Sequence, residues 1–228
     1  MKKIFLGVSG FWCLLLAASF IFSVWPHTDI AVSQFFYGGQ DVFPANDVGF
    51  VKAVYIGVPW VGSALFVLCL CTLLLAVVKP GWVSRRIWRR AAGFVAVVVL
   101  GVGFLVHAVL KENMGRPRPR DVTEFSGPSA YVPVFVPSSF CKTNCSFVSG
   151  HAAIGFSVMA FGMFGIRKRR HFWFGAGLLA GSVVGVVRIA QGGHFLSDVV
   201  FSLLAIWLTH LLIHGLWLRW RARQLRQR

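Results

Sequence analysis

The chain predicts an all-α bundle of membrane-spanning helices, and three observations carry that prediction. Hydrophobic residues make up 57% of its 228 positions and aromatics 15%, while charged residues reach only 13%; a soluble domain of this size could not hide so much apolar surface. The apolar residues also fall into runs long enough to cross a hydrocarbon core as helices. Finally, the cations sort to one side of those runs. With a helical crossing of about 20 residues as the yardstick, six runs qualify, at about 4–25, 55–78, 91–110, 150–166, 172–190 and 195–218.

The first run follows Lys2 and Lys3 and could be read as a signal peptide, with Ala17-Ala18-Ser19 near a cleavage point. At about 21 apolar residues it exceeds the usual signal core of roughly 7–15, which favours a retained anchor. Pro26 closes it, and residues 27–54 form an external segment with turn signals at Gly38-Gly39 and Pro44. Its aromatics, Phe35-Phe36-Tyr37 and Phe50, are expected to rest at the lipid headgroups. Short basic connections at 79–90 and 167–171 leave little room for a site between the runs they join. The long 111–149 loop holds Pro117, Pro119, Pro128, Pro133 and Pro137, which argues for an ordered segment without continuous helix. The fourth run is short. The fifth carries Gly175, Gly177, Gly181 and Gly185, small residues that let helices approach closely in lipid. Trp82, Trp88, Trp217 and Trp220 read as interfacial anchors. With no internal repeat or low-complexity tract, residues 1–228 read as one domain.

A formal charge of +16 raises the question of a nucleic-acid partner, and the placement of the charges answers it. Sixteen of the 23 cations, in clusters at the N-terminus, 79–90, 167–170 and 219–228, flank one face of the membrane. The other seven, Lys52, Lys111, Arg116, Arg118, Arg120, Lys142 and Arg188, share the opposite face with all seven acids. That pattern is a topology signal, placing both termini in the cytoplasm and the 111–149 loop outside. No nucleic-acid partner is expected.

Concentrated chemistry is confined to three short segments: Lys111 to Pro119, Ser149-Gly150-His151, and Arg188 to Asp198. They supply three fixed cations, two imidazoles and a carboxylate, all on the external face. Phosphoryl transfer needs such an inventory, because the protein must neutralise phosphate oxygens, align an attacking atom and protonate a leaving oxygen. A helix opening at Gly150-His151 would seat a phosphate at its N-terminus. His194 and Asp198 are four apart and share a helix face, so the carboxylate is expected to accept the imidazole Nδ1 proton. Among other polar residues, His107 is read as helix packing with the pocket as the alternative. His210 and His214 are read as structural. Glu112, Asp121 and Glu124 are read as charge balance for Arg116 and Arg120, since they lack the clustering of a metal site.

Together the segments resemble the signature of the type 2 phosphatidic acid phosphatase family, over roughly residues 104 to 200. Its first element, Lys, six residues, Arg-Pro, is met by Lys111 and Arg118-Pro119. Its second, Pro-Ser-Gly-His, has Val148 for the proline, and its third, Ser-Arg, five residues, His, three residues, Asp, has Val187 for the serine. The resemblance implies a phosphohistidine formed on His194 and oriented by Asp198, with His151 as general acid and then general base. It also implies that Lys111, Arg118 and Arg188, with Ser149 and Gly150, hold the phosphate, with no metal or other cofactor. The stretch from Lys111 through Asp121 and the run from Asn144 to His151 look most like bacterial members acting on envelope lipids. Lipid A phosphatases are favoured, with phosphatidylglycerophosphate or undecaprenyl pyrophosphate phosphatases and lipid phosphotransferases as alternatives. The implied location is the bacterial inner membrane with the site facing the periplasm. A polyanion transporter is the reading from a different class, and the absence of charge at mid-depth in the spans counts against it.

Of five cysteines, Cys13, Cys69 and Cys71 fall in spans as small apolar residues. Cys141 and Cys145 lie in the external loop, where a short disulfide is favoured over a metal site.

Overall fold

A computed structural model describes the backbone of residues 2–227 and the side chains of residues 7–227. The side chains of Lys2 and Lys3, and Arg228, counted above among the cations, lie outside these described residues. The chain runs through α1 (Lys2–Val24), α2 (His27–Gln34), α3 (Gly49–Val78) and α4 (Arg85–Val97), which continues in a wider π-type winding over Val98–Lys111 and closes in the single turn α5 (Glu112–Met114). After the long loop come α6 (Gly150–Ser157), tightened into a 3₁₀ turn over Val158–Gly162, then α7 (Arg167–Ala190) and α8 (Leu196–Arg226). No strand occurs among the described residues; a lone bridge pairs Val122 with Ser129.

Five stretches are long and apolar enough to cross a bilayer: Gly7–Val24, Gly49–Val78, Arg85–Asp121, Arg167–Ala190 and Leu196–Arg226. The fourth expected span is shorter than 150–166, ending at Gly162. At ~1.5 Å per residue it covers only about 20 Å of a ~30 Å core. It compensates by position, for it packs against α3, α7, α8 and the Val98–Lys111 winding and buries Ala152, Ala153, Phe156, Met159 and Ala160. The glycines of α7 allow this. A Cβ on Gly181 would overlap the Phe156 ring, so α6 and α7 meet at backbone distance as the sequence predicts. Outward-facing Trp12, Leu16, Phe20, Trp60 and Val78 leave an apolar shell suited to lipid.

Above the bundle lies a second, smaller core that the sequence reading does not contain. Phe43, Val122, Phe125 and Phe195 bury one another, and Tyr37 adds edge contacts at 5.4 Å to Phe43 and 5.1 Å to Phe125. Of the aromatics expected at the headgroups, Phe35 and Phe50 do face outward, while Phe36 and Tyr37 turn into this cap. The 111–149 loop is tied down by its backbone: Ser138 N donates to Met114 O at 3.0 Å, Cys141 N to Gly115 O at 3.1 Å and Ser146 N to Arg116 O at 2.9 Å. Cap and loop together hold the ends of α2, α6, α7 and α8 against one another.

Candidate active site

A cleft of about 230 Å³ opens between α3, the end of the Val98–Lys111 winding, α6 and the end of α7. Lys111, Arg118, His151, Arg188 and His194 all line it, with Gly150 at its base. Six of the eight predicted site residues, drawn from three separate segments, are thus brought by the fold to one cavity. Tyr55 and Pro59 of α3 close one side, and His107, one turn before Lys111, lines the cleft as well, so its pocket alternative is the one observed.

The two arginines of the cleft are held by groups other than acids. Among the described residues no carboxylate pairs with Lys111, Arg118 or Arg188. Arg118 donates from Nε and Nη2 to the carbonyl of Asn144, at 3.2 and 2.7 Å. Asn144 sits inside the short loop closed by the Cys141–Cys145 disulfide, which is formed. Arg188 donates Nη1 to Gln191 Oε1 at 2.6 Å and lies over the Tyr55 ring at 4.6 Å. Its Nε is buried with no partner, a donor left for an acceptor that is not part of the protein. Gly193 makes room for this guanidinium, because a Cβ there would collide with Nη2. His151 stacks on the same tyrosine, its ring 5.2 Å away and nearly parallel.

The segment before His151 folds as the motif predicts. Ser149 caps α6, its hydroxyl accepting from Ala152 N at 3.4 Å, and Gly150 starts the helix at the wall of the cleft. Ser149 itself is fully buried and does not line the cavity. Its part is to fix the turn, and its own N–H donates to Asp198 O at 3.2 Å.

His194 departs from the expected geometry in one respect. Its Nδ1 lies 2.7 Å from the backbone carbonyl of Ser146 and 3.6 Å from Asp198 Oδ2. A carbonyl can only accept, so Nδ1 carries the proton and Nε2 keeps its lone pair. Asp198 is engaged elsewhere: Oδ2 accepts from Ser146 Oγ at 2.5 Å and from Phe195 N at 2.8 Å, and Oδ1 accepts from Arg116 at 2.6 Å. The carboxylate thus holds both the residue that fixes the imidazole and the backbone next to it. Burial pushes the His194 imidazole down to about 3, against the pull of Asp198, so the ring is neutral at physiological pH.

Arg116 and Asp29 are the functional residues that sequence reasoning missed. The sequence reading pairs Arg116 with Glu112, Asp121 or Glu124 as charge balance. Arg116 is instead buried, and its fork spans Asp198 Oδ1 at 2.6 Å, Ser197 Oγ at 2.8 Å, Asp29 Oδ2 at 2.8 Å and the Val132 carbonyl at 2.8 Å. Phe195 packs against its guanidinium at 4.4 Å. Asp29 in turn accepts from Ser197 N and Oγ at 2.8 and 2.5 Å, anchoring the start of α8. Burial raises the Asp29 carboxyl and Arg116 opposes the shift. Burial also raises the Tyr131 phenol, which stays protonated and donates to Pro26 O at 2.9 Å. Arg120 pairs at the surface with Asp121, 3.8 Å away.

His210 and His214 are buried away from the cleft, and His214 Nε2 lies 3.4 Å from Arg170. Among the described residues no three His, Cys, Asp or Glu side chains converge as a metal site.

Comparison with known proteins shows the family. The PAP2 superfamily model matches residues 92–222, more than half of the chain, and the chain belongs to that family. It is 41% identical over 134 residues to the lipid A 4'-phosphatase of Francisella tularensis subsp. novicida, covering 58% of this chain and 60% of that protein. The chain therefore spans less than two thirds of that relative. It is 30% identical over 220 residues to the lipid A 4'-phosphatase of Rhizobium leguminosarum, covering 89% of each, and 27% identical over 219 residues to that of Rhizobium etli, covering 89% of this chain and 81% of the other. No solved structure matches. Arg116 falls inside the matched family region, whereas Asp29 lies upstream of it.

Proposed function

We propose that the protein is an integral-membrane lipid phosphatase that removes a phosphate from lipid A. The observation that carries this reading is the cleft itself, where three carboxylate-free cations and two imidazoles meet beside an apolar groove. That groove, of about 400 Å³, runs between α3, α6 and α7 and is lined by side chains such as Val54, Val58, Val61, Val158 and Val184. Ile154 borders both spaces. An amphiphile can place its phosphate among the cations and an acyl chain along the groove. The two lipid A 4'-phosphatase relatives that align along most of the chain support the choice of headgroup.

The chemistry follows from the tautomer of His194. Nε2 attacks phosphorus, and the bond from phosphorus to the leaving oxygen breaks as His151 gives that oxygen a proton. His151 then takes a proton from water, the hydroxide attacks the phosphohistidine, and the P–N bond breaks to release phosphate. Lys111, Arg118 and Arg188 neutralise the nonbridging oxygens throughout, with the unpaired Arg188 Nε as one donor. None of these steps needs a metal. The site faces the periplasm and both termini the cytoplasm, on the strength of the sixteen cations gathered at the other face, and the short α6 segment makes the sixth crossing.

The test is phosphate release by purified protein, in EDTA, from a panel of lipid A, phosphatidylglycerophosphate and undecaprenyl pyrophosphate. Lipid A should be turned over with the highest kcat/KM, and a Mg²⁺ requirement or preference for another lipid would overturn the corresponding part of the reading. An impermeant thiol reagent applied to intact cells after mild reduction should label Cys141 or Cys145; labelling only after the membrane is opened would reverse the orientation.

A further inference from the structure

The end of the bundle opposite the cleft holds a second charged cavity. Arg85, Arg86, Arg89 and Arg90 on the first turns of α4 and Arg169 on α7 line a space of about 310 Å³, floored by Phe161, Phe164 and Ile166. Topology alone asks only that cations lie on this side. It does not ask that five of them converge on one hollow. The arrangement is costly, since Arg85 with Arg89 and Arg86 with Arg90 are like charges spaced i,i+4. Among the described residues none of the five forms an ion pair with a carboxylate. The basic tail beyond Arg219 carries similar charge and does not line this cavity.

Two further observations say what kind of anion fits. Trp82 and Trp88, beside the pocket, are largely exposed, at 72% and 46%, and Lys79 lies over the Trp82 ring at 4.2 Å. Tryptophans of this kind mark headgroup depth. The floor is aromatic and aliphatic, suited to the glycerol and first methylenes of a lipid. Arginine forks match phosphate oxygens in pairs. We propose that this pocket binds the phosphate headgroup of an anionic phospholipid from the leaflet opposite the active site. Both helices that build it end at the cleft, α4 through its continuation at Lys111 and α7 at Arg188, so an occupied pocket fixes the far ends of the two elements that carry catalytic cations.

The test uses the intact protein in phosphatidylcholine vesicles, with or without phosphatidylglycerol, and maps phenylglyoxal adducts on arginine by peptide mass spectrometry. Phosphatidylglycerol should slow modification of Arg89 and Arg169 severalfold relative to Arg223, which is exposed outside the pocket. Equal protection of all three, or none, would overturn the proposal. Inorganic phosphate in phosphatidylcholine vesicles is the second arm: protection by it equal to that from the lipid would overturn the lipid source and assign a free phosphate to the site. Arg89→Gln with Arg169→Gln should weaken retention of phosphatidylglycerol in native mass spectra on the order of 10–30-fold, as expected for two cations near a lipid surface. The same variant should keep its kcat/KM in neutral detergent and its melting temperature, which shows that it folds. Undiminished lipid retention in that folded variant would contradict the assignment.

Discussion

Behind His194 the polar groups are closed on one another, whereas in front of it they are left open. On the closed side, Arg116, Asp29, Asp198, Ser146 and Ser197 satisfy each other at 2.5–2.8 Å with no solvent exposure to speak of. On the open side, Lys111, Arg118 and Arg188 pair with no acid, Arg118 and Arg188 have carbonyl, amide or ring neighbours, and one buried Arg188 donor has nothing. Two sets of buried charge a few residues apart therefore serve different ends. The closed set is complete without a ligand and fixes geometry; the open set is completed by a phosphate. Substitutions should separate the two by what they damage.

The largest effect is expected on the closed side. Arg116→Ala leaves Asp29 and Asp198 as buried, uncompensated carboxylates, a loss of about 3–5 kcal/mol, and the protein should melt at markedly lower temperature in detergent before activity is even considered. An unchanged melting temperature would show that the network is not what holds α8 to α2. On the open side, Arg188→Gln should melt within a few degrees of wild type yet lose about 10²–10³-fold in kcat, the cost of removing one transition-state donor. A variant that lost stability instead would blur the distinction.

A smaller effect follows from the burial of His194 between the two sides. Its folded pKa of about 3 lies below the ordinary 6.5. Below pH 6.5 the unfolded chain therefore takes up a proton that the folded protein refuses. The stability this histidine contributes is full above 6.5 and falls as pH drops towards about 3. His194→Asn keeps a donor for the Ser146 carbonyl and does not titrate, so the wild type should lose melting temperature relative to it across that window. Parallel curves would mean the imidazole is not buried as described. The smallest effect concerns the Cys141–Cys145 loop. Cys145→Ser should cost about tenfold in kcat/KM by loosening the Asn144 carbonyl that holds Arg118, and combined with Arg118→Gln it should add little.

The same contrast explains what the sequence could reveal. The open side was legible, because Lys111, Arg118, His151, Arg188 and His194 sit in short segments at recognisable spacing and must each present a side chain to the ligand. The closed side was not. Arg116 and Asp29 are 87 residues apart, Asp29 lies in a segment without motif or periodicity, and the partner of His194 Nδ1 is a backbone carbonyl, which no residue type announces. The count of acids held the one usable signal: seven acids share a face with seven cations, and nothing local decides which pairs are buried. The helices were read from apolar runs, and the fourth fell short because its run includes Phe164-Gly165-Ile166, where the chain has already left the helix to turn into α7. The short α2 escaped notice because its eight residues place a single apolar block, Ile30-Ala31-Val32, between polar ones, too short to show a helical stripe, and the aromatic cap draws its residues from distant parts of the chain.

The central claim is that His194, neutral and oriented through Ser146, carries the phosphate during turnover. Wild-type protein mixed with lipid A should be quenched within the first turnovers under alkaline conditions, where phosphohistidine survives, and its peptides mapped by mass spectrometry. The account predicts a phosphoryl group on His194 that accumulates further in a His151→Ala variant, where hydrolysis of the intermediate is slowed. A phosphoryl group on His151, or full turnover with His194 never modified, would contradict it.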